Sequence, residues 1–134
     1  MKEKLDENSK DALIVYRMER SRQTLLEARV MIQEAFYNAA VNRLYYACYY
    51  AAVALLLKYD VQTQTHNGVK TMLGLHFIST GKLPIKVGKI FATLFEKRHS
   101  GDYDDFVYCD KEMVDDLFPQ AEQFINSIDS LLKI

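Results

Sequence analysis

Residues 42–57 read NRLYYACYYAAVALLL, so fourteen consecutive apolar or aromatic residues, Leu44 to Leu57, follow the polar pair Asn42 and Arg43. At helical rise they extend about 21 Å, short of the roughly 30 Å hydrocarbon core of a bilayer. Arg43 and Lys58 bracket the run with charge, which argues against a membrane span. A helix that is apolar on every side must be covered on every side, by neighbouring helices or by a second copy of the chain. The stretch therefore predicts a central helix, about residues 38 to 59.

The chain around it is 134 residues long, 49% hydrophobic and 26% charged, with 5 glycines and 2 prolines. That length predicts a single domain, residues 1–134, able to bury roughly two-thirds of its unfolded surface. The composition suits a helical globular protein rather than a disordered one. The net charge of −1 gives no bulk electrostatic reason for sequence-independent nucleic-acid binding, so any RNA contact has to be local. Cys48 and Cys109 have neither disulfide-framework nor zinc-site spacing, which points to a reducing compartment. The opening MKEKLDENSKD lacks the apolar run of a signal peptide. Residues 1–8 are expected to form a flexible leader, and the cytoplasm is the expected location.

Before the central helix, Ile14, Met18, Ser21, Leu25, Ala28, Ile32 and Ala35 recur at alternating spacings of four and three, the pattern of one buried helical face. The spacing predicts a first helix over about 9 to 35, capped by Ser9 or Asn8. Its other face, with Arg17, Glu19, Arg20, Arg22, Glu27 and Arg29, reads as solvated surface. After the loop VQTQTHNG, Thr65 is placed to cap a third helix with Val69, Met72, Leu73, His76 and Phe77 on one face, stopping at Thr80-Gly81. Pro84 suits the first turn of a fourth helix. Its stripe of Val87, Ile90, Phe91, Leu94 and Phe95 is continued by Arg98, before Ser100-Gly101 ends it. Asp110 can cap a fifth helix carrying Leu117, Ala121, Phe124, Ile128 and Leu131, which Pro119 should kink or divide. With short connections and no strand alternation, the fold class is all-α, an up-and-down antiparallel bundle of four to five helices.

The chain has no phosphate-cradling glycine loop, HExxH, paired CxxC or GxSxG, so no cofactor and no metal are expected. Chemistry has to come from polar residues in apolar surroundings. Arg98, at a core-facing position, either pairs with Asp102 four residues on or presents its planar fork to phosphate. Arg43 either snorkels to water or makes a second phosphate contact. His66 precedes Asn67-Gly68, where an imidazole satisfies a backbone group or serves as a base. His76 reads as packed, and His99 as pointing away from Arg98. Tyr45, Tyr46, Tyr49 and Tyr50 cannot all face one core, which predicts core and dimer contacts for them. Tyr103 is expected on a loop.

At these residues the chain resembles the HEPN domain, specifically its small stand-alone bacterial and archaeal members. The similar features are ARVMIQEAFYNAAVNRLYYACYYAAVALLL, THNGVKTMLGLHFISTGKLP and EKRHSGDYDDF, over about residues 15 to 130. The resemblance implies a bundle that dimerises, is encoded beside a minimal nucleotidyltransferase and acts in toxin-antitoxin or defence systems. Many such relatives are metal-independent ribonucleases that use an arginine and a histidine separated by four to six residues. Carried onto this chain, Arg98 matches the arginine, but Tyr103, Asp104 and Asp105 occupy that window. The expected function is therefore a nucleotide- or RNA-associated HEPN-like module, homodimeric, with a phosphate site of Arg43, Arg98, Asp102 and Tyr103. The alternatives are a divergent metal-independent endoribonuclease with Arg98 and His66 as its catalytic residues, and a structural dimerising protein.

Overall fold

The structure, a computed structural model, describes residues 5–103 and 108–133, with side chains outside 99–103. Five helices make it up: α1 (Glu7–Gln33), α2 (Tyr37–Lys58), α3 (His66–Leu73), which runs on into a wider turn (Gly74–Ile78), α4 (Ile85–Tyr103) and α5 (Lys111–Leu132). Strands are absent among the described residues. The all-α bundle expected from the sequence is the fold.

The apolar run sits where its composition requires. α2 packs against each of the other four helices, most extensively against α1, and eleven of its residues from Ala40 to Leu56 are buried. By length and composition α2 would also suit a membrane span, but 61% of that span is buried inside this bundle. Ser21 ties α1 to α2 through a buried hydrogen bond, its hydroxyl donating to the Ala47 carbonyl at 2.6 Å. Phe91 of α4 stacks on Phe124 of α5 with ring centroids 5.4 Å apart.

Both ends of the α1–α2 hairpin close by the same local device. After α1, Phe36 N–H donates to the Met31 carbonyl and Ala35 N–H to the Ile32 carbonyl, with Ala35 at φ 63°. After α2, Val61 N–H donates to Leu56 and Asp60 N–H to Leu57, with Asp60 at φ 58°. Such paired bonds satisfy the last carbonyls of a helix, and they require one left-handed residue, usually glycine.

Several local expectations change. The cap of α1 is Asp6, whose carboxylate accepts from Ser9 N–H, instead of Ser9 or Asn8, so the helix begins at Glu7. Ala35 is exposed and lies beyond α1 rather than on its buried face. Thr65 and Asp110 do cap α3 and α5, each accepting from the backbone three residues on. α4 continues through Ser100-Gly101 to Tyr103, which places Asp102 and Tyr103 on the helix rather than on a loop. Pro119 does not divide α5, because the apolar face on both sides of it is held against the core. His76 is exposed while Phe77 is buried. The wide turn explains that pair, since Ser79 N–H bonds back five residues to Gly74 and the added residue rotates His76 out of the face. α4 approaches this turn so closely that a Cβ at Gly88 would lie 2.9 Å from the Ile78 side chain.

The charged face of α1 is also not simply solvated. Arg17 donates to the Val53 carbonyl, Arg20 lies over Tyr50, Arg22 reaches Asn126 and Asp129, and Arg29 lies over Phe118. Their long stems run along α2 and α5 before the heads find partners.

Candidate functional site

The polar entrance of α2 gathers side chains from four helices. Arg43 stands one turn before Tyr46, and its guanidinium lies 5.4 Å from that ring's centroid. Its head is paired with Glu27 of α1 at 3.3 Å and with the Asn42 side chain at 2.9 Å. From α4, Arg98 donates to the Tyr46 hydroxyl at 3.1 Å and lies 5.5 Å from the rings of both Tyr45 and Tyr46. Tyr46 is thus a hinge plate for two guanidinium groups. These contacts fix both guanidinium groups against the rings at the polar entrance of α2.

His66 enters from α3. Thr65 fixes the start of that helix by accepting from Gly68 N–H at 2.8 Å, which aims the imidazole at α2. His66 Nδ1 and the Tyr45 hydroxyl share a hydrogen bond of 2.8 Å, and the imidazole lies 4.5 Å from the Tyr49 ring centroid at a 32° tilt. Tyr45 is fully buried. Burial pushes its phenol pKa well above the ordinary range, against the opposing pull of Arg98, so the hydroxyl keeps its proton. Burial, and then the charge of Arg98, hold the His66 pKa below 6.5. The contact fits both neutral tautomers: Nδ1 accepts from the phenol with the ring proton on Nε2, or Nδ1–H donates to the phenol oxygen and leaves Nε2 as an acceptor.

Beside this cluster lies an open recess of about 380 Å³ whose lining includes Asn38, Asn42, Arg43, Lys97 and Arg98. Among the described residues its lining has three cations and no carboxylate. The charge of these three cations makes the recess attractive to an anion. Among the described residues no three histidine, cysteine or acidic side chains gather as a metal site would require.

A family model for the HEPN domain matches residues 14–131. The chain belongs to the HEPN domain family. Among its relatives is a "UPF0332 protein" of Thermotoga maritima, 35% identical over 126 residues, spanning 94% of this chain and 96% of that one. Another, from Methanocaldococcus jannaschii and bearing the name "Putative toxin MJ0605", is 30% identical and spans 87% of this chain and 86% of its own. The crystal structure of an archaeal HEPN homologue, ST0689, shares the fold with a TM-score of 0.72 at 15% identity, over 88% of this chain and 96% of that one.

On this HEPN scaffold Arg43, Arg98 and His66 come together around Tyr45, Tyr46 and Tyr49. The described side chains do not include Asp102, Tyr103 or His99, so a pairing of Arg98 with Asp102 lies outside them. Tyr45 belongs to the core, whereas Tyr46, Tyr49 and Tyr50 are only partly buried, Tyr46 and Tyr49 packing against the core from outside. Arg43 does not snorkel alone to water, because Glu27 meets it across the hairpin. Lys97, Arg17 and Arg20 were not among the sequence candidates. The pattern EKRH around Lys97 offered a signal, a second cation beside the core-facing arginine, but the two α1 arginines read as ordinary surface.

Proposed function

We propose that this HEPN protein is a nucleotide- or RNA-associated module of a toxin-antitoxin or defence-type system, gripping phosphate with Arg43, Lys97 and Arg98 and cleaving RNA poorly or not at all. The observation that carries the reading is the recess in which these three cations face one opening. The toxin name borne by relatives supports the setting, and the absence of histidine from positions 102–105 supports weak nuclease activity. In this reading the chain works as a homodimer, beside a minimal nucleotidyltransferase-type partner. Calorimetric titration with AMP and with a short single-stranded RNA tests it. Binding that weakens at least tenfold in Arg98→Ala and in Lys97→Gln is expected, and no binding of either ligand by the wild type would overturn it.

One observation favours a second reading, a divergent metal-independent ribonuclease. His66 and Arg98 meet the same two tyrosines, and the neutral tautomer whose Nδ1–H donates to the Tyr45 oxygen keeps Nε2 as the nitrogen that takes a proton from a ribose 2′-hydroxyl. Cleavage of RNA by the wild type that is lost in Arg98→Ala and His66→Ala would establish it. Equal absence of cleavage from all three removes it.

A further inference from the structure

A groove between α1 and the C-terminal half of α2 lies apart from the recess. Its volume is about 810 Å³, within the roughly 300–1,000 Å³ of small-molecule sites, and it shares no lining residue with the recess. Its apolar lining includes Leu13, Val53, Leu57 and Val61, each only partly covered. Two arginines of α1 stand at the end nearer Tyr49 and Tyr50. Arg17 donates to the Val53 carbonyl at 3.3 Å, and Arg20 lies 5.3 Å from the centroid of the Tyr50 ring. Among the described residues neither has a carboxylate in ion-pair range. Burial lowers the Arg17 pKa, against the pull of Tyr49, so its charge is held partly out of water. At the other end the charges cancel, for the buried Lys10 meets Asp60 at 3.4 Å and Glu7 at 3.7 Å. Asp60 is the one carboxylate in the lining, so the two arginines set the charge of the groove.

We infer that this groove binds a small anionic amphiphile, an aliphatic monocarboxylate of medium chain length, with its head on Arg17 and Arg20 and its chain along Val53 and Leu57 toward Val61. The site is separate from the phosphate reading, whose cations line the recess. Charge selects the head. A guanidinium drawn partly out of water and met only by a neutral carbonyl is stabilised by a carboxylate, which its planar fork matches in geometry. The lining selects the tail, because an alkyl chain laid over Leu13, Val53 and Leu57 removes apolar surface of both partners from water. A second anionic head has no place, since Lys10 at the far end is already held by Asp60 and Glu7. Length sets the size. From Tyr49 to Leu57 the helix advances about 12 Å, the reach of roughly eight to ten carbons joined by bonds of about 1.5 Å in a zigzag.

Calorimetric titration of the full chain with hexanoate, octanoate, decanoate and dodecanoate, each kept below its micelle-forming concentration, and with decyltrimethylammonium tests the assignment. Affinity should rise about two- to fourfold per added carbon and level off near ten carbons, where the chain passes the end of the groove. The ammonium, with the same tail and the opposite charge, should bind at least about tenfold more weakly than decanoate. Arg17→Gln should weaken decanoate binding about 10- to 100-fold and leave AMP affinity unchanged, and Leu57→Ala should weaken it about fivefold. Equal affinity for the acid and the ammonium overturns the inference, and that comparison is made on the wild type alone. Affinity that climbs steadily through dodecanoate overturns it too, as adsorption to any apolar surface would. So do undiminished decanoate binding by folded Arg17→Gln, loss of AMP and decanoate binding together in that variant, and no binding of any acid at about 1 mM. Decanoate binding without AMP binding defeats only the phosphate reading and leaves this site standing.

Discussion

The two halves of α2 are one continuous helix with opposite tasks. From Ala51 to Leu56 the side chains are aliphatic and, apart from Val53, buried, and the end is sealed by Asp60 and by Lys58, whose ammonium donates to the Leu132 carbonyl at 2.9 Å. From Asn42 to Tyr50 the core-facing positions are just as dry, but the outward ones are tyrosines and an arginine that other helices meet with cations and an imidazole. The difference teaches that burial supplies the fold along the whole helix, while the candidate site depends on which residues occupy the positions that burial does not claim.

The sharpest way to separate the halves is to damage the sealed one. Leu55 is fully buried, so Leu55→Ala should cost about 2–5 kcal/mol of unfolding free energy, read by urea denaturation, with ligand affinity unchanged wherever the variant is folded. Arg98→Ala should do the reverse. Removing hydrogen bonds to a charged ligand is worth about 1.5–3 kcal/mol of binding, against roughly 1 kcal/mol of stability from its contacts with the two tyrosine rings. A variant of Arg98 that loses more stability than affinity would merge the two halves into one structural unit.

The next effect is smaller and depends on pH. Because the folded pKa of His66 is depressed below 6.5, the unfolded chain takes up a proton there before the folded chain does. The His66 contribution is therefore fully present above about pH 6.5 and is lost as the pH falls from there through the folded value. Wild type should lose stability relative to His66→Gln between pH 7.5 and pH 5. The His66 titration followed by NMR should have a midpoint below 6.5 that moves up in Arg98→Ala, since Arg98 is the second cause of the depression.

How much of this was legible in the sequence follows from which contacts are local. The three-four spacing of Met18, Ser21, Leu25 and Ala28, and of Leu117, Ala121, Phe124 and Ile128, sufficed for the bundle, because each helix carries its own buried stripe. Thr65 and Asp110 announced their helices since a cap acts only three residues ahead. The meeting of Arg98, His66 and Tyr45 was legible only as three separate oddities, for it requires the packing register of three helices. The wide turn at Gly74–Ile78 belongs to that register and rotates His76 away from the place its spacing implied. Arg17 and Arg20 were misread because their stems lie against α2, a contact that one-helix periodicity cannot contain. Asp6 was overlooked as a cap in favour of residues already inside the helix.

The smallest expected effect lies at the hairpin turn that brings Glu27 and Arg43 together. Ala35 holds φ 63°, which costs a side-chain-bearing residue about 1–2 kcal/mol. Ala35→Gly should recover about 0.5 kcal/mol after the added freedom of the unfolded chain is counted, seen as a small rise in Tm with unchanged affinity.

The account's central claim is that the polar entrance of α2 receives phosphate while the sealed half only supports it. Mapping backbone amide shifts of the isotope-labelled chain during titration with a short single-stranded RNA tests this directly. Perturbations confined to residues 42–50, His66 and residues 97–98 are the predicted result. Perturbations centred instead on the outer face of α5, or none at saturating RNA, would contradict it.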